Sequence, residues 1–450
     1  MLPACFSNQV VLMVDVWLPY GKTDVCVRVP ARNHLGSIEP KEKPGVADAK
    51  AEVERALREP VGSKRLGEIV KPDQRVAIVI DDVTRPAPSS LMVSAILAEL
   101  NAVGVKDENV TIIFACGTHR PVTHEEATKA LGDEILRRVK VVSHDCRAQD
   151  LVEVGVTQKL GNRVLLNRVF AEADVRILTG DVCFHYYAGY GGGRKSVLPG
   201  VAGEETIKRN HALLLDSHAK TGVLDGNPVH EDMVEAARLA KVDFALSVVM
   251  NSKGGLVKAF AGDVEQAFAE GAKLVDEMYR VQVDRRADIV VVSSGGHPAD
   301  VNLFQAYKGV DGALEAVKRG GVLVLVAECP EGHGNQVFYD WMVKFGDLKA
   351  VEREIKRNFV LGGHKAYYLL EALQKIKIIL VSSIPDYYAT GVFKLKTARA
   401  VNDALNMAFE IAGKSAKVWT VPFGNFTLPE VKTVEEQAAA SGDQTEKVIN

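Results

Sequence analysis

The sequence predicts an α/β protein of two Rossmann-like domains, each built on a mainly parallel sheet, with a cleft between them. Two observations carry this reading. Short runs dense in valine and isoleucine recur along the chain, and their apolar pattern is continuous rather than alternating, as in strands buried on both faces. Between most of them lie stretches of helical spacing, some closely followed by glycine, so strand and helix alternate as parallel sheets with helices on both faces require. At 450 residues the chain exceeds one ordinary core.

Taken in order, a first strand begins at Met13 and runs through Val14-Asp15-Val16-Trp17-Leu18-Pro19-Tyr20. The first dozen residues are then an extension or an apolar edge strand. Buried-strand runs follow at 76–80, 110–114, 139–142, 175–179, 244–249, 289–292, 322–326, 376–381 and 418–421, with helical patterns at 89–103, 124–138, 228–240, 264–278 and 310–318. The charged stretch 281–287 breaks the series and a second strand-helix series follows it. The expected organisation is an N-terminal α/β domain over 1–275, a C-terminal α/β domain over 276–430, and a disordered tail over 431–450 rich in Glu, Gln, Ala, Ser and Thr.

Composition excludes several classes of function. Apolar residues at 47% and charged residues at 25% are ordinary globular values, and a net charge of −3 gives no global basic field for nucleic acid. The six cysteines have no C-x-x-C spacing, so neither a zinc ribbon nor a disulfide framework is indicated and a reducing cytoplasm fits. No stretch of eighteen uncharged apolar residues marks a membrane segment, and the N-terminus lacks a basic signal-peptide region. A soluble enzyme is the default.

The most informative segment runs from His185 to Gly203, with six glycines and one lysine, Lys195. A loop so poor in side chains lets its backbone approach a bound molecule closely, and its lysine can serve as phosphate ligand, charge partner or covalent attachment point. It is not a P-loop, because Arg194 separates Gly193 from Lys195, and the dinucleotide fingerprint is met only in the wrong register by Gly189, Gly191 and Gly193.

Ligands of parallel sheets bind beyond the carboxyl ends of the strands. The residues there are Asp81-Asp82-Val83-Thr84-Arg85-Pro86, Cys116-Gly117-Thr118-His119-Arg120-Pro121, Gly180-Asp181 leading to His185, and Ser293-Ser294-Gly295-Gly296-His297-Pro298. His119 and His185 are candidate acid/base groups, and two such groups on opposite sides of one carbon are what inversion requires. Arg85 offers a fork for carboxylate or phosphate, Asp82 can orient a histidine or a ribose hydroxyl, and His211 on a following helical stretch is a candidate metal ligand.

Together four motifs resemble those of the nickel-pincer-nucleotide-dependent lactate racemase family, in order and over residues 20–420. They are Asp81-Asp82-x-Thr84-Arg85-Pro86, Gly117-Thr118-His119-Arg120, the loop from His185 through Gly191-Gly192-Gly193-Arg194-Lys195 to Pro199-Gly200, and Gly295-Gly296-x-Pro298-x-Asp300 with Phe304-Gln305 and Lys308. The resemblance implies a nickel-pincer nucleotide, a pyridinium mononucleotide whose two thiocarboxyl-derived groups and one ring carbon hold nickel. By position Lys195 resembles the lysine that anchors it, His211 its histidine nickel ligand, and His119 and His185 the acid/base pair. Arg85 and Lys308 resemble substrate-carboxylate contacts with Gln305 close by, while Asp82, Thr84 and Gly191, Gly192 and Gly193 resemble cofactor-site residues. The implied reaction is racemisation or epimerisation of a 2-hydroxy acid, by hydride transfer to and from the cofactor through a 2-oxo acid. The implied partners are that small molecule and the proteins that synthesise the cofactor.

Two departures bear on the substrate. Phe304 stands where lactate-specific members resemble one another in carrying tyrosine, and no tryptophan occurs within 360–368. Space beside Phe304 and the Gly362-Gly363-His364-Lys365 stretch, with an extra cation, points to a 2-hydroxy acid larger than lactate. Two other classes remain open at this level: a zinc-dependent hydrolase using His119, His124, His185 and His211, and a nonenzymatic ligand-binding protein.

Overall fold

The computed structural model describes residues 12–83 and 85–432. The expected extension before residue 12, the tail from 433 onward and Thr84 lie outside them. Two compact units emerge, one of Lys41–Met278 with Lys356–Leu361, the other of residues 12–40, Tyr279–Ile355 and 362–432.

In the first unit the sheet order is Leu256–Gly262, Phe244–Met250, Val175–Asp181, Val76–Asp81, Val110–Ala115, Lys140–Ser143. All neighbours are parallel except the edge pair Phe244–Met250 and Leu256–Gly262. The valine and isoleucine runs form strands because both their faces are covered: Val76, Ile78 and Ile80 pack against Met92, Ile96 and Leu100 of the helix Ser89–Ala102. The chain winds outward from Val76–Asp81 in one direction, then returns to build Val175–Asp181 on its other side. The two adjacent strand ends at Asp81 and Asp181 are therefore a topological switch point, where connections leave in opposite directions, the position at which ligands of such sheets bind.

The second unit carries an all-parallel sheet in the order Lys396–Thr397, Lys377–Val381, Val317–Val326, Ala287–Ser293, Val418–Val421, His34–Ser37. The expected N-terminal domain thus loses residues 12–40. His34–Ser37 pairs with Val418–Val421, and the hairpin of Met13–Tyr20 and Thr23–Pro30 buries Val16, Leu18, Val27 and Val29 against Ile289, Val291, Val322 and Val324. Pairing across almost four hundred residues leaves no local signal.

Two expected elements differ. The helix placed at 310–318 spans Leu303–Ala313, and residues from Val317 already belong to a strand. Gly309 and Gly312 look like helix stops but serve close packing, since a Cβ would lie 2.9 Å from the Ser294 hydroxyl at the first and 2.2 Å from the Gly424 carbonyl at the second. The charged stretch read as a break contains the short strand Arg280–Val283, paired in parallel with Leu428–Val431. Most other elements fall within two residues of expectation, and the helices Gln336–Phe345, Leu348–Arg357, Gly363–Lys375 and Val401–Ala412 add to those named from the sequence.

Candidate functional site

At the switch point, Asp81 and Asp181 end the two central strands, and the Asp181 backbone N–H donates to Asp81 Oδ2 at 3.1 Å. Burial and the neighbouring Asp181 hold the Asp81 carboxyl well above the usual carboxylate range, partly offset by Arg85. The Arg85 side chain is open to solvent in a recess where Cys183, Asp181, Asp81 and Asp82 surround it; despite the desolvation, their charges keep it firmly protonated. Asp82 also engages a histidine, its Oδ2 lying 2.5 Å from His119 Nδ1. A carboxylate accepts only, so Nδ1 carries the proton and the lone pair is left on Nε2 of a half-exposed ring.

The glycine-rich loop supplies the other side. Phe184–His185 and Gly189–Tyr190 form a two-stranded antiparallel hairpin, and Gly193–Ser196 turns in a single 3-10 step. Gly192 makes this path possible: its φ is +82° and a Cβ would lie 2.5 Å from the Asp181 carbonyl oxygen. Arg194, 2% exposed, is a structural strut rather than a ligand. It donates to Gly192 O, Ala188 O and His230 Nδ1 and stacks 4.1 Å over Phe268.

Lys195 is 9% exposed, and its amine pKa is driven well below the usual lysine value by burial, then by Arg85 and Arg194. Its Nζ lies 3.4 Å from His185 Nε2, while the Ala188 N–H points at His185 Nδ1 at 3.3 Å. The neutral amine that burial favours can exchange a hydrogen bond with His185 Nε2 in either direction. Lys195 is therefore presented as a nucleophile.

His211 ends the helix Glu204–His211 and is 3% exposed. Burial first, then Lys195, push its pKa down to about 3, so it is a neutral imidazole. Its Nδ1 lies 3.0 Å from Asn210 Oδ1, and among the described residues its Nε2 has no hydrogen-bond partner. The Tyr187 ring connects the group, edge-on to His185 at 4.5 Å and to His211 at 5.2 Å, with Lys195 Nζ 5.9 Å from its centroid.

The first unit thus gathers Asp82, Arg85, His119, His185, Gly191, Gly192, Gly193, Lys195 and His211. Lys308 and Gln305 lie on Leu303–Ala313 of the second unit, Lys308 exposed and Gln305 half-buried near the helix start, where its backbone N–H is capped by Asn302. Asp300, part of the same motif, is a loop staple, accepting from the Gly21 and Glu328 backbone N–H groups. The space expected beside Gly363 is filled: a Cβ there would lie 2.4 Å from the Trp341 ring, so an indole from Gln336–Phe345 occupies it. Lys365 is buried with its Nζ 5.5 Å from the Phe304 centroid and 4.9 Å from that of Tyr307. Sequence reasoning missed Tyr187, Asn210 and the Asp81–Asp181 pair. The tandem tyrosines after His185 were a usable signal for the first; the others depend on long-range packing.

No group of three His, Cys, Asp or Glu side chains among the described residues is arranged to hold a metal ion, so the four-histidine zinc arrangement is not formed. No helix among them is long and apolar enough to cross a membrane.

Two family models match the chain, the lactate racemase N-terminal domain over residues 20–222 and the lactate racemase C-terminal domain over 282–426. The chain belongs to the lactate racemase family. It is 34% identical to the lactate racemase of Thermoanaerobacterium thermosaccharolyticum over 92% of this chain and 98% of that one, and 32% identical to that of Lactiplantibacillus plantarum over 92% and 99%. The T. thermosaccharolyticum lactate racemase apoprotein structure superposes with a TM-score of 0.87 at 31% identity, covering 93% of this chain and all of that one. A Thermotoga maritima protein, TM-score 0.64 at 21% identity over 87% of this chain and all of that one, shares the fold. Membership in the lactate racemase family makes this chain an isomerase.

Proposed function

We propose that this lactate racemase family member inverts C2 of a 2-hydroxy acid with a nickel-pincer nucleotide. The supporting observation is the grouping of a buried lysine amine biased toward its uncharged form, an imidazole with an available Nε2, and a second imidazole around one tyrosine ring. The donor set fits that cofactor. A single histidine is too little to hold a transition metal by itself, so an ion bound there must bring its other donors with it, as soft sulfur donors around Ni(II) would. Lys195 would hold the nucleotide through its amine and His211 would ligate nickel through Nε2.

When bound, the cofactor supplies a reversible acceptor for the C2 hydride. The chain's own residues do the rest. Arg85 pairs with the substrate carboxylate, with Lys308 and Gln305 as further contacts. One of His119 and His185 takes the hydroxyl proton while the 2-oxo acid forms, and the other returns a proton as the opposite enantiomer is made. Asp82 fixes the His119 tautomer, so its Nε2 is always the proton-accepting atom.

A substrate larger than lactate is part of this reading. The filled gap at Gly363 removes the steric argument, and what supports it now is Phe304 in place of a phenol with Lys365 against its ring, an amine whose pKa burial and Lys308 pull down to about 7. The cytoplasm, where cofactor-synthesis proteins would load the enzyme, fits five cysteines that form no disulfide among the described residues.

Protein made with and without the cofactor-synthesis machinery tests the proposal by intact mass, nickel content and chiral analysis of a hydroxy-acid panel. The expected result is a mass adduct, stoichiometric nickel and racemisation only in the loaded preparation. Equal activity in both preparations would overturn it.

A further inference from the structure

Behind His211 lies a buried polar network that the reading above does not use. Asp232 sits on the helix Pro228–Leu239 and is 2% exposed. Three donors converge on its carboxylate: the Thr157 hydroxyl on Oδ1 at 2.8 Å, and Asn162 Nδ2 at 3.0 Å and Asn210 Nδ2 at 2.9 Å on Oδ2. Asn210 Nδ2 also donates to the Val229 carbonyl at 3.1 Å. Asn162 and Asn210 are themselves fully buried. No lysine or arginine takes part in these contacts, so a carboxylate is held in the protein interior entirely by neutral groups.

This arrangement fixes the state of His211 by elimination. A side-chain amide left to itself can rotate by a half-turn and exchange its oxygen for its nitrogen. Here both acceptors on one side, the Asp232 carboxylate and the Val229 carbonyl, demand the NH2 group, so the Asn210 oxygen must face the ring. Facing an oxygen, the ring must place its proton on Nδ1, and the lone pair is left on Nε2. The reversed amide would offer N–H to Nδ1, move the proton to Nε2 and make it unavailable to a metal.

We infer that Asp232 is a positioning residue which, through Asn210, locks His211 in the tautomer whose Nε2 can ligate a metal. The inference rests on the proposed role of His211 for its purpose, but not for its geometry. A buried carboxylate one amide removed from the ring also polarises the Nδ1–H bond, raising the donor strength of Nε2 as outer-shell carboxylates do for metal-bound histidines.

The test uses the full-length apo protein with 15N-labelled histidine and long-range proton–nitrogen correlation at mildly alkaline pH, with His211 assigned by its loss in His211→Ala. Wild type should show His211 protonated on Nδ1 alone. Asp232→Leu should release the amide and populate the Nε2–H form, whereas Asp232→Asn, whose oxygen can still accept from Asn210, should keep the wild-type tautomer. Asn210→Leu, which leaves the carboxylate in place, should release the ring as well and serves if Asp232→Leu does not fold. An Nε2–H signal in wild type, or an unchanged Nδ1–H signal in the folded leucine variants, would overturn the inference. In loaded protein, retention of nickel against a chelator should fall about 10–100-fold in the leucine variants. Absence of nickel in loaded wild type would refute the proposed function while leaving the tautomer result standing, so the two failures are separable.

Discussion

At the scale of single residues the site is governed by desolvation. Burial, then Arg85 and Arg194, oppose protonation of Lys195 and bias its amine toward the uncharged form. Its amine should therefore react with small acylating reagents near neutral pH, where exposed lysines are protonated. Peptide mass mapping of the apo protein should show Lys195 modified ahead of them, and Arg85→Gln should slow this by removing one of the opposing charges. In loaded protein, Lys195→Ala should abolish both the mass adduct and activity; an adduct persisting on the variant would place the attachment elsewhere. The histidines have different supports, Asp82 for His119 and the Ala188 N–H for His185. His119→Gln and His185→Gln should each lower turnover about 10²–10⁴-fold in both directions with cofactor still bound. Arg85→Gln should cost about 2–5 kcal/mol in kcat/KM if it meets the substrate carboxylate, and unchanged efficiency would move that contact to another residue.

At the scale of elements the glycine loop and the switch point act together. Gly192 passes over the Asp181 carbonyl in a left-handed conformation, so Gly192→Ala meets both backbone strain and a steric collision. A loss of at least about 2 kcal/mol in urea unfolding is expected, with Lys195 labelling altered as the loop shifts. Asp81 has the opposite linkage to an ordinary ion-paired acid. Its folded pKa is raised above the usual 3.8, so the folded state holds a proton the unfolded chain has lost, and its contribution to stability declines as pH rises above 3.8. Asp81→Asn retains an oxygen for the Asp181 N–H but no longer titrates. The stability of the variant relative to wild type should increase from pH 5 to pH 8, and a pH-independent difference would show that Asp81 is ionised throughout.

Across the whole molecule the buried histidines contribute to the acid limb of stability, beside the ion-paired carboxylates. His211 and His230 are held near pKa 3, against an ordinary 6.5, mainly by burial. Between those values the unfolded chain binds protons that the folded chain refuses, so stability falls as pH drops from 6.5 toward 3. His211→Gln should flatten that decline in urea unfolding at a series of pH values. Substrate choice is also a property of the assembled enzyme. Under the proposed function, Phe304 in place of a phenol, with Lys365 packed beside it, would favour a larger 2-hydroxy acid over lactate, by about 1–3 kcal/mol for pocket differences of this kind. Initial racemisation rates for lactate, malate, 2-hydroxybutyrate, phenyllactate and gluconate measure it, and a clear preference for lactate would refute it.

What the sequence determined by itself is what depends on local pattern. Continuous Val and Ile runs marked the strands buried on both faces, and polar residues after them marked Asp82, Arg85, His119 and His185, because a parallel sheet puts chemistry at its strand ends. The glycine-rich loop marked Lys195 because few other reasons exist to strip a segment of side chains. Tertiary structure alone decided whatever rests on contacts between distant segments. His34–Ser37 joins a strand near residue 420, Trp341 fills the gap at Gly363, and Gly309 and Gly312 stand inside a helix because the Ser294 hydroxyl and the Gly424 carbonyl press against it. The same holds for charge and proton placement. Asp232 reads in sequence as one more helical acid, and only burial beside Asn162 and Asn210 turns it into the group that orients His211, because desolvation obliges every polar atom there to find a partner.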